Sequence, residues 1–289
     1  MNGRIILCAD DYALTAGVSS AIRTLAKAGR ISATSAIVTG PGWQEEAEAL
    51  KPLSPGLAIG LHLNFTLGSP LELMPSFTDG GTFPTVGTLI RRAYVGRLRA
   101  ALISAEISRQ LDAFEAQFGT PPDFVDGHQH VHVLPVIRTQ LLVELARRYR
   151  GRRLLVRDPS SGVTEEAKHS GAIAKSIVIS ALAIGMRRDI EAMGFVSNDG
   201  FAGITSFENS QAAVARDFRS AAQCPGSRPL VMCHPGFTDA SLQDLDPVTQ
   251  RRQTEFDVLM AANPLSENAW RPKRDATGCV VWPGPGGKA

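Results

Sequence analysis

The sequence lacks the features by which several functional classes announce themselves. Its 289 residues include four cysteines, Cys8, Cys224, Cys233 and Cys279, with no CxxC pair and no short regular spacing. That excludes a small disulfide-stapled scaffold and implies free, mostly buried thiols in a reducing compartment, hence a cytoplasmic protein. No GxGxxG or GxxxxGK follows a strand-like run, which weakens any nucleotide-binding reading. Neither sign of charge dominates: 30 Lys and Arg stand against 28 Asp and Glu, a net charge of +2. Nothing in that balance calls for nucleic acid or an anionic membrane surface as a partner. The basic run around Arg147, Arg148, Arg150, Arg152 and Arg153 has no interleaved aromatics apart from Tyr149, and reads as the solvated end of a helix and its loop. The longest apolar stretch, Ala172 to Met186, contains Lys175 and two serines and is too short to cross a bilayer; a buried or groove-lining helix fits it better. The opening residues read as a first strand rather than a cleavable leader. No repeat or shift of composition divides residues 1–289, so the chain reads as a single domain with a peripheral tail from about residue 265.

What is present is a strand–helix alternation on an ordinary globular composition, 44% hydrophobic and 20% charged, which excludes a disordered chain. Strands are expected over residues 5–9, 35–38, 57–63, 123–126, 154–157, 204–205 and 230–233. Helices are expected over 15–28, 43–50, 103–118, 136–148, 211–222 and 247–262. The helix at 103–118 is the plainest, since Ile103, Ile107, Leu111, Phe114 and Phe118 recur at steps of three and four. Residues 64–84, rich in Gly and Pro, read as a long loop, and 159–202 as a helical insertion. Such alternation implies a parallel sheet with helices outside it, and the fold class is α/β, a closed or nearly closed (β/α) barrel, with a doubly wound open sheet as the alternative.

The chemistry-bearing residues gather where strands end. Asp10 and Asp11 close the first strand, His62 the third; His128, His130 and His132 follow the fourth, and His234 the last, within Cys-His-Pro-Gly. In parallel β/α proteins these C-terminal ends form the active-site face. Each feature has a plainer explanation alone: helix capping for the Asp pair, core packing for His62, turn packing for His234. Alternate residues of an extended segment share a face, so His128, His130 and His132 are expected to point one way, where a metal or proton-transfer role explains them better than packing. One Asp and two His suit a catalytic divalent metal with an open coordination position. A remaining carboxylate and imidazole would act as general base and general acid, an inventory that matches metal-assisted hydrolysis of an amide or ester.

Five ordered segments carry a resemblance. Ile6-Leu7-Cys8-Ala9-Asp10-Asp11-Tyr12 resembles the "ADDFG" opening of the YdjC-like carbohydrate deacetylases. Ile31-Ser32-Ala33-Thr34-Ser35 is similar to their "T-S" segment, and Gly60-Leu61-His62-Leu63-Asn64 to their "G-x-H-x" strand. The block Val125-Asp126-Gly127-His128-Gln129-His130-Val131-His132 resembles their "D-x-H-x-H-x-H", and His234-Pro235-Gly236 their "HPG". The order holds over about residues 4–262, and the "DGHQH" form looks closest to the hopanoid-biosynthesis-associated HpnK branch, the chitooligosaccharide deacetylases being another branch. The resemblance implies a barrel related to the polysaccharide deacetylases, a divalent cation (Mg2+ or Zn2+), and removal of an acetyl group from an N-acetylated sugar, either oligosaccharide or glycolipid. Carried over position by position, it implies Asp11, His62 and His128 as metal ligands, Asp10 as general base and His234 as general acid. His130 and His132 are then expected as substrate contacts or supports of the site. Arg157, at the end of the next strand, is expected to orient Asp10 by a charge-assisted hydrogen bond, against the alternative of an ordinary surface ion pair. Tyr12-Ala13 departs from the family's Phe-Gly and is expected to alter the turn after the Asp pair.

The rival readings fit less well. An amidohydrolase-type barrel places its His-x-His near the first strand, and a glycosidase needs two carboxylates and leaves the histidines unexplained. A catalytically silent sugar- or metal-binding protein on the same barrel needs no acid–base pair, and a metal hydrolase of another amide or ester stays open. A homodimer is compatible with the sequence, which does not decide the oligomer.

Overall fold

The fold follows from how the short, almost wholly buried strands, seven among the described residues, satisfy both of their faces. A computed structural model describes residues 4–160, 173–205, 208–245, 249–261 and 264–284. In chain order the elements are β1 (Ile6–Tyr12), α1 (Ala16–Lys27), β2 (Ala33–Ala36), α2 (Trp43–Leu50), β3 (Ala58–Leu63), α3 (Val86–Tyr94), α4 (Ala100–Phe118), β4 (Phe124–Gly127), α5 (Ile137–Tyr149) and β5 (Leu155–Val156). They continue with α6 (Ile173–Leu182), α7 (Met186–Ala192), β6 (Gly200–Ala202), α8 (Gln211–Ala221), β7 (Pro229–Cys233), α9 (Ala240–Leu245), α10 (Thr249–Met260) and α11 (Pro264–Glu267). The strands are parallel, in the order β5-β4-β3-β2-β1-β7-β6. One continuous segment links the two edges. Val196 pairs with Leu155 of β5, and four residues later Gly200–Ala202 pairs with β7. The sheet therefore curls into a nearly closed barrel.

Strand alternation sorts the side chains. Ile5, just before the first strand, and Leu7 and Ala9 within it pack outward under the helices, whereas Ile6 and Cys8 point into the barrel with Ala58, Phe124, Leu155 and Leu230. Gly60 makes room for this interior: a Cβ there would lie 2.6 Å from the Phe124 ring. Continuing the same parity toward the C-terminal ends brings Asp10, Ser35, His62, Asp126 and Arg157 inward. The polar layer above and the apolar layer below thus arise from one alternation.

Several boundaries differ from the sequence reading. The strand expected at 204–205 is instead Gly200–Ala202, inside the supposed insertion; only three residues pair, too few to show a period. The insertion does carry the helices α6 and α7, while its residues 161–172 lie outside the described residues. The loop at 64–84 gives way to a helix, α3, that Gly87 and two threonines concealed. The tail is not peripheral. Ile5 donates to Asn268 and accepts from Trp270, and Trp270 stacks on Trp282 with centroids 5.4 Å apart. Trp282 also meets the Phe124 edge and donates its indole N–H to the Arg153 carbonyl at 3.0 Å. Arg274 grips Asp123 through two 2.8 Å contacts. Residues 265–282 thereby close the N-terminal end of the barrel. Among the described residues, no helix is long and apolar enough to cross a membrane.

Because Trp282 fills that end, Trp282→Ala should cost about 3–5 kcal/mol of stability in urea denaturation. The exposed Leu73→Ala should shift it by less than about 0.5 kcal/mol.

Candidate metal centre and active site

Regular alternation would send Asp10 inward and Asp11 outward. The backbone breaks it: the β1–β2 register shifts between Ala9 and Tyr12, and Asp11 and Ala13 take left-handed conformations, with φ of 69° and 66°. Adjacent carboxylates can then face the same space. The turn is held by Leu14 N–H donating to the Asp11 carbonyl and by Ala13 N–H donating to Ser19 Oγ, both at 3.0 Å. Tyr12, pointing away, donates to the Glu46 carbonyl at 2.7 Å and anchors the turn on α2.

Asp11 Oδ1 lies 3.2 Å from His62 Nε2 and 2.9 Å from His128 Nδ1, and one ligand atom from each of the three side chains falls within 4.8 Å of the others. The opposite nitrogen of His62 is taken: Nδ1 lies 2.6 Å from Asp126 Oδ1 and 3.0 Å from Ser35 Oγ. The Asp126 carboxylate calls for a proton on Nδ1, so Nε2, facing Asp11, is the nitrogen that a cation would take in place of its proton. Burial disfavours the His62 imidazolium, but the Asp126 carboxylate and the hydrogen bonds to Asp11 and Asp126 outweigh it and push the group up to about 10. Asp11 Oδ2 is held at 2.6 Å by Arg252. Burial would raise its carboxyl, yet Arg252 and His128 hold it well below the usual range.

Asp10 is clamped by Arg157, with Nη1 to Oδ2 and Nη2 to Oδ1 both 2.6 Å, and Arg157 Nη2 lies 2.5 Å from Asp126 Oδ2. Arg157 is fully buried, so the alternative of a surface ion pair is overturned. Burial opposes the Asp10 carboxylate, but the guanidinium prevails and keeps its carboxyl below the ordinary value. His234 donates its backbone N–H to Glu255 Oε2 at 2.6 Å, and burial pulls its imidazole below the ordinary value.

The expectation that three histidines share a face is wrong. After β4 the chain does not stay extended: residues His128–Val133 form tight turns, with positive φ at Gln129 (52°) and His130 (59°). His128 joins Asp11 and His62. His130 lines the cavity beside Phe201, and its Nδ1 has no partner among the described residues. His132 turns away to contact the Arg157 carbonyl through Nε2 at 3.0 Å, and burial pulls its imidazole down to about 4, so it is neutral. The sequence reading assigned no role to Asp126, Ser35, Arg252 or Glu255. Asp126 lies two residues before His128 with inward parity, a usable signal; Arg252 and Glu255 sit on α10, far along the chain, where nothing marks them.

The donor set fits a divalent cation. One carboxylate oxygen and two imidazole nitrogens suit such an ion, and all three residues line a cavity of about 780 Å3. Asp10, Asp11 and Asp126 face the guanidiniums of Arg157 and Arg252 and the His62 imidazole, so a cation held by Asp11, His62 and His128 would take the place of a His62 proton. A second acidic group, Cys8 with Asp10 and Asp126, does not qualify, because Arg157 already bridges its two carboxylates. Asp10, His130 and His234 line the same cavity as the three candidate ligands.

A family model described as YdjC-like protein matches residues 4–264. A chitooligosaccharide deacetylase of Serratia marcescens is 33% identical over 263 residues, 90% of this chain and 92% of that protein. One from Proteus mirabilis is 29% identical over 257 residues, 88% and 89% of the two chains. A solved structure from Enterococcus faecalis, named for cellobiose-phosphate cleavage, matches with a TM-score of 0.70 at 24% identity, covering 93% of this chain and 94% of that one, and shares the fold.

Two outcomes test the site's construction. Ala13→Gly should raise stability by about 1 kcal/mol in thermal or urea unfolding, because a left-handed backbone penalises a Cβ. Asp126→Asn, folded by circular dichroism, should weaken zinc binding about 10- to 100-fold in calorimetry by loosening His62; unchanged affinity would remove Asp126 from the site.

Proposed function

The chain belongs to the YdjC-like family, and from that footing we propose that it is a metal-dependent hydrolase that removes the acetyl group from an N-acetylated sugar. The observation that carries this reading is the convergence of Asp11, His62 and His128 on one point, with Asp10 and His234 lining the same cavity. Asp11, His62 and His128 would hold the cation. Two nitrogen donors favour zinc over magnesium. Bound there, a divalent cation supplies Lewis-acid polarisation of the acetyl carbonyl and eases ionisation of water.

The protein's own groups do the rest. Asp10, kept ionised and oriented by the two-pronged Arg157 contact, takes the proton from the attacking water as its oxygen bonds to the carbonyl carbon. His234, anchored through its backbone by Glu255, delivers a proton to the amide nitrogen as the carbon–nitrogen bond breaks, releasing acetate and a free amino sugar. His130 offers an unpartnered ring nitrogen to a sugar hydroxyl or the acetyl oxygen, while His132 supports the Arg157 backbone.

The walls above this polar floor refine the substrate. Leu67, Val86, Ile90, Val178, Ile179 and Leu182 line the same cavity. A polar acetamido group at the floor and an apolar wall above it match a sugar bearing an apolar aglycone, so of the two substrate classes a glycolipid is preferred.

The test is acetate release from N-acetylated oligosaccharides and glycolipids, with and without a chelator. Activity should vanish with chelation and return with zinc. Asp10→Asn should lower turnover about 10²- to 10⁴-fold with metal retained. His234→Ala should slow amides more than activated aryl acetates, whose leaving groups need no proton, and His130→Ala should lose activity with most of its metal kept. Near wild-type rates for both Asp10→Asn and His234→Ala would overturn the mechanism, and metal binding without any hydrolysis would favour a silent binder.

A further inference from the structure

The net charge of +2 conceals a local segregation. Residues 80–105 contain four arginines, Arg91, Arg92, Arg97 and Arg99, and no acidic residue. Arg92 is engaged by Asp79 and the Phe77 carbonyl. Arg91, Arg97 and Arg99 are exposed and have no ion-pair partner among the described residues. Between them stand Tyr94 and Val95, 56% and 58% exposed. Large apolar side chains set singly on a surface need no explanation, but these continue a stripe. Val86, Ile90 and Tyr94 recur every four residues on α3, and the first two line the active-site cavity.

The facing wall repeats the pattern. On α6, Ala174, Val178 and Leu182 line the same cavity at the same spacing, while Val178, the neighbouring Ile177, and Ile184 beyond the helix are 53%, 51% and 74% exposed. Arg187 and Arg188 at the start of α7 are paired, with Asp158 at 3.5 Å and Asp189 at 3.1 Å, so among the described residues the free cations lie on the α3 side. Both helices belong to connections that leave the C-terminal ends of strands, and their apolar edges line one cavity. Apolar side chains flanked by Arg91, Arg97 and Arg99, which have no ion-pair partner among the described residues, suit the headgroup–acyl boundary of an anionic membrane. A second copy of the chain suits the face poorly, because a two-fold contact would oppose arginine to arginine with no carboxylate in residues 80–105 to receive them.

We propose that the rim formed by residues 91–99 and by α6 with Ile184 is a peripheral docking face for an anionic lipid bilayer, which sets the active-site cavity against the membrane surface. Docking is independent of the reaction: it would hold for this surface whatever bond the site hydrolyses.

The test uses the full chain in sedimentation with vesicles of phosphatidylcholine alone and of phosphatidylcholine mixed with phosphatidylglycerol. Binding should require the anionic lipid and weaken with salt. Each arginine contributes roughly fivefold to partitioning. The triple variant R91Q/R97Q/R99Q should therefore lose about 100-fold, and the Y94S/V95S/I177S variant at least about tenfold. None of these six side chains lines the cavity, so acetate release from a soluble N-acetylated oligosaccharide should be unchanged in both, which also reports folding. Failure of the wild-type protein to bind either vesicle, equal binding to both, or a dimer in light scattering that the same substitutions dissolve would overturn the proposal. Loss of hydrolysis on every substrate with vesicle binding intact would count against the deacetylase reading alone.

Discussion

The buried guanidinium of Arg157 is the interaction on which the active end of this barrel depends. It spans Asp10 and Asp126, two carboxylates from strands that are not neighbours, at 2.5–2.6 Å and with no exposure to solvent. Two carboxylates enclosed in a barrel would otherwise repel each other and escape ionisation by taking up protons. Paired with one planar cation they remain charged, and each is then free to serve a neighbour. Asp126 turns its other oxygen to His62, and Asp10 keeps its orientation toward the cavity. Removing one partner from such a buried set typically costs about 3–5 kcal/mol, because the remaining charge is left uncompensated. The arginine thus ties the stability of the barrel to the readiness of the site.

The second constraint is the strained step at the end of β1. Two consecutive aspartates on a regular strand would face opposite sides of the sheet, one in the barrel and one under the helices. The left-handed conformation at Asp11 brings the second carboxylate toward His62 and His128. The surrounding hydrogen bonds to Ser19 and, through Tyr12, to α2 hold a conformation that an isolated chain would avoid. From α10, Arg252 and Glu255 complete the arrangement by holding Asp11 and the backbone of His234. The cavity that results is polar at its floor and apolar at its walls, a division that follows from strand ends below and helix faces above.

Much of this was legible in the chain itself. Strand–helix alternation specified a parallel sheet covered by helices and favoured a barrel over a doubly wound open sheet, because short apolar strands separated by amphipathic helices have few other ways to bury both faces. The placement of Asp10, Asp11, His62, His128 and His234 at strand ends put them on one rim, since parallel strands present their C-terminal ends together. Arg157 was legible as a partner for Asp10 by the same logic of position. These inferences use local periodicity and direction, which a sequence carries directly.

What the tertiary structure decided are matters of local backbone handedness and of contacts between distant segments. Turns with positive φ at Gln129 and His130 send three histidines to three different tasks, although their spacing suits a common face. The closing strand at Gly200–Ala202 pairs through three residues, too few for periodicity to register. The last turn of the chain, with Trp270 and Trp282, seals the far end of the barrel because an apolar interior open to water must be covered, and no pattern within residues 265–282 states where that interior lies. Composition and spacing determine which residues can meet; the packing of the whole chain determines which of them do.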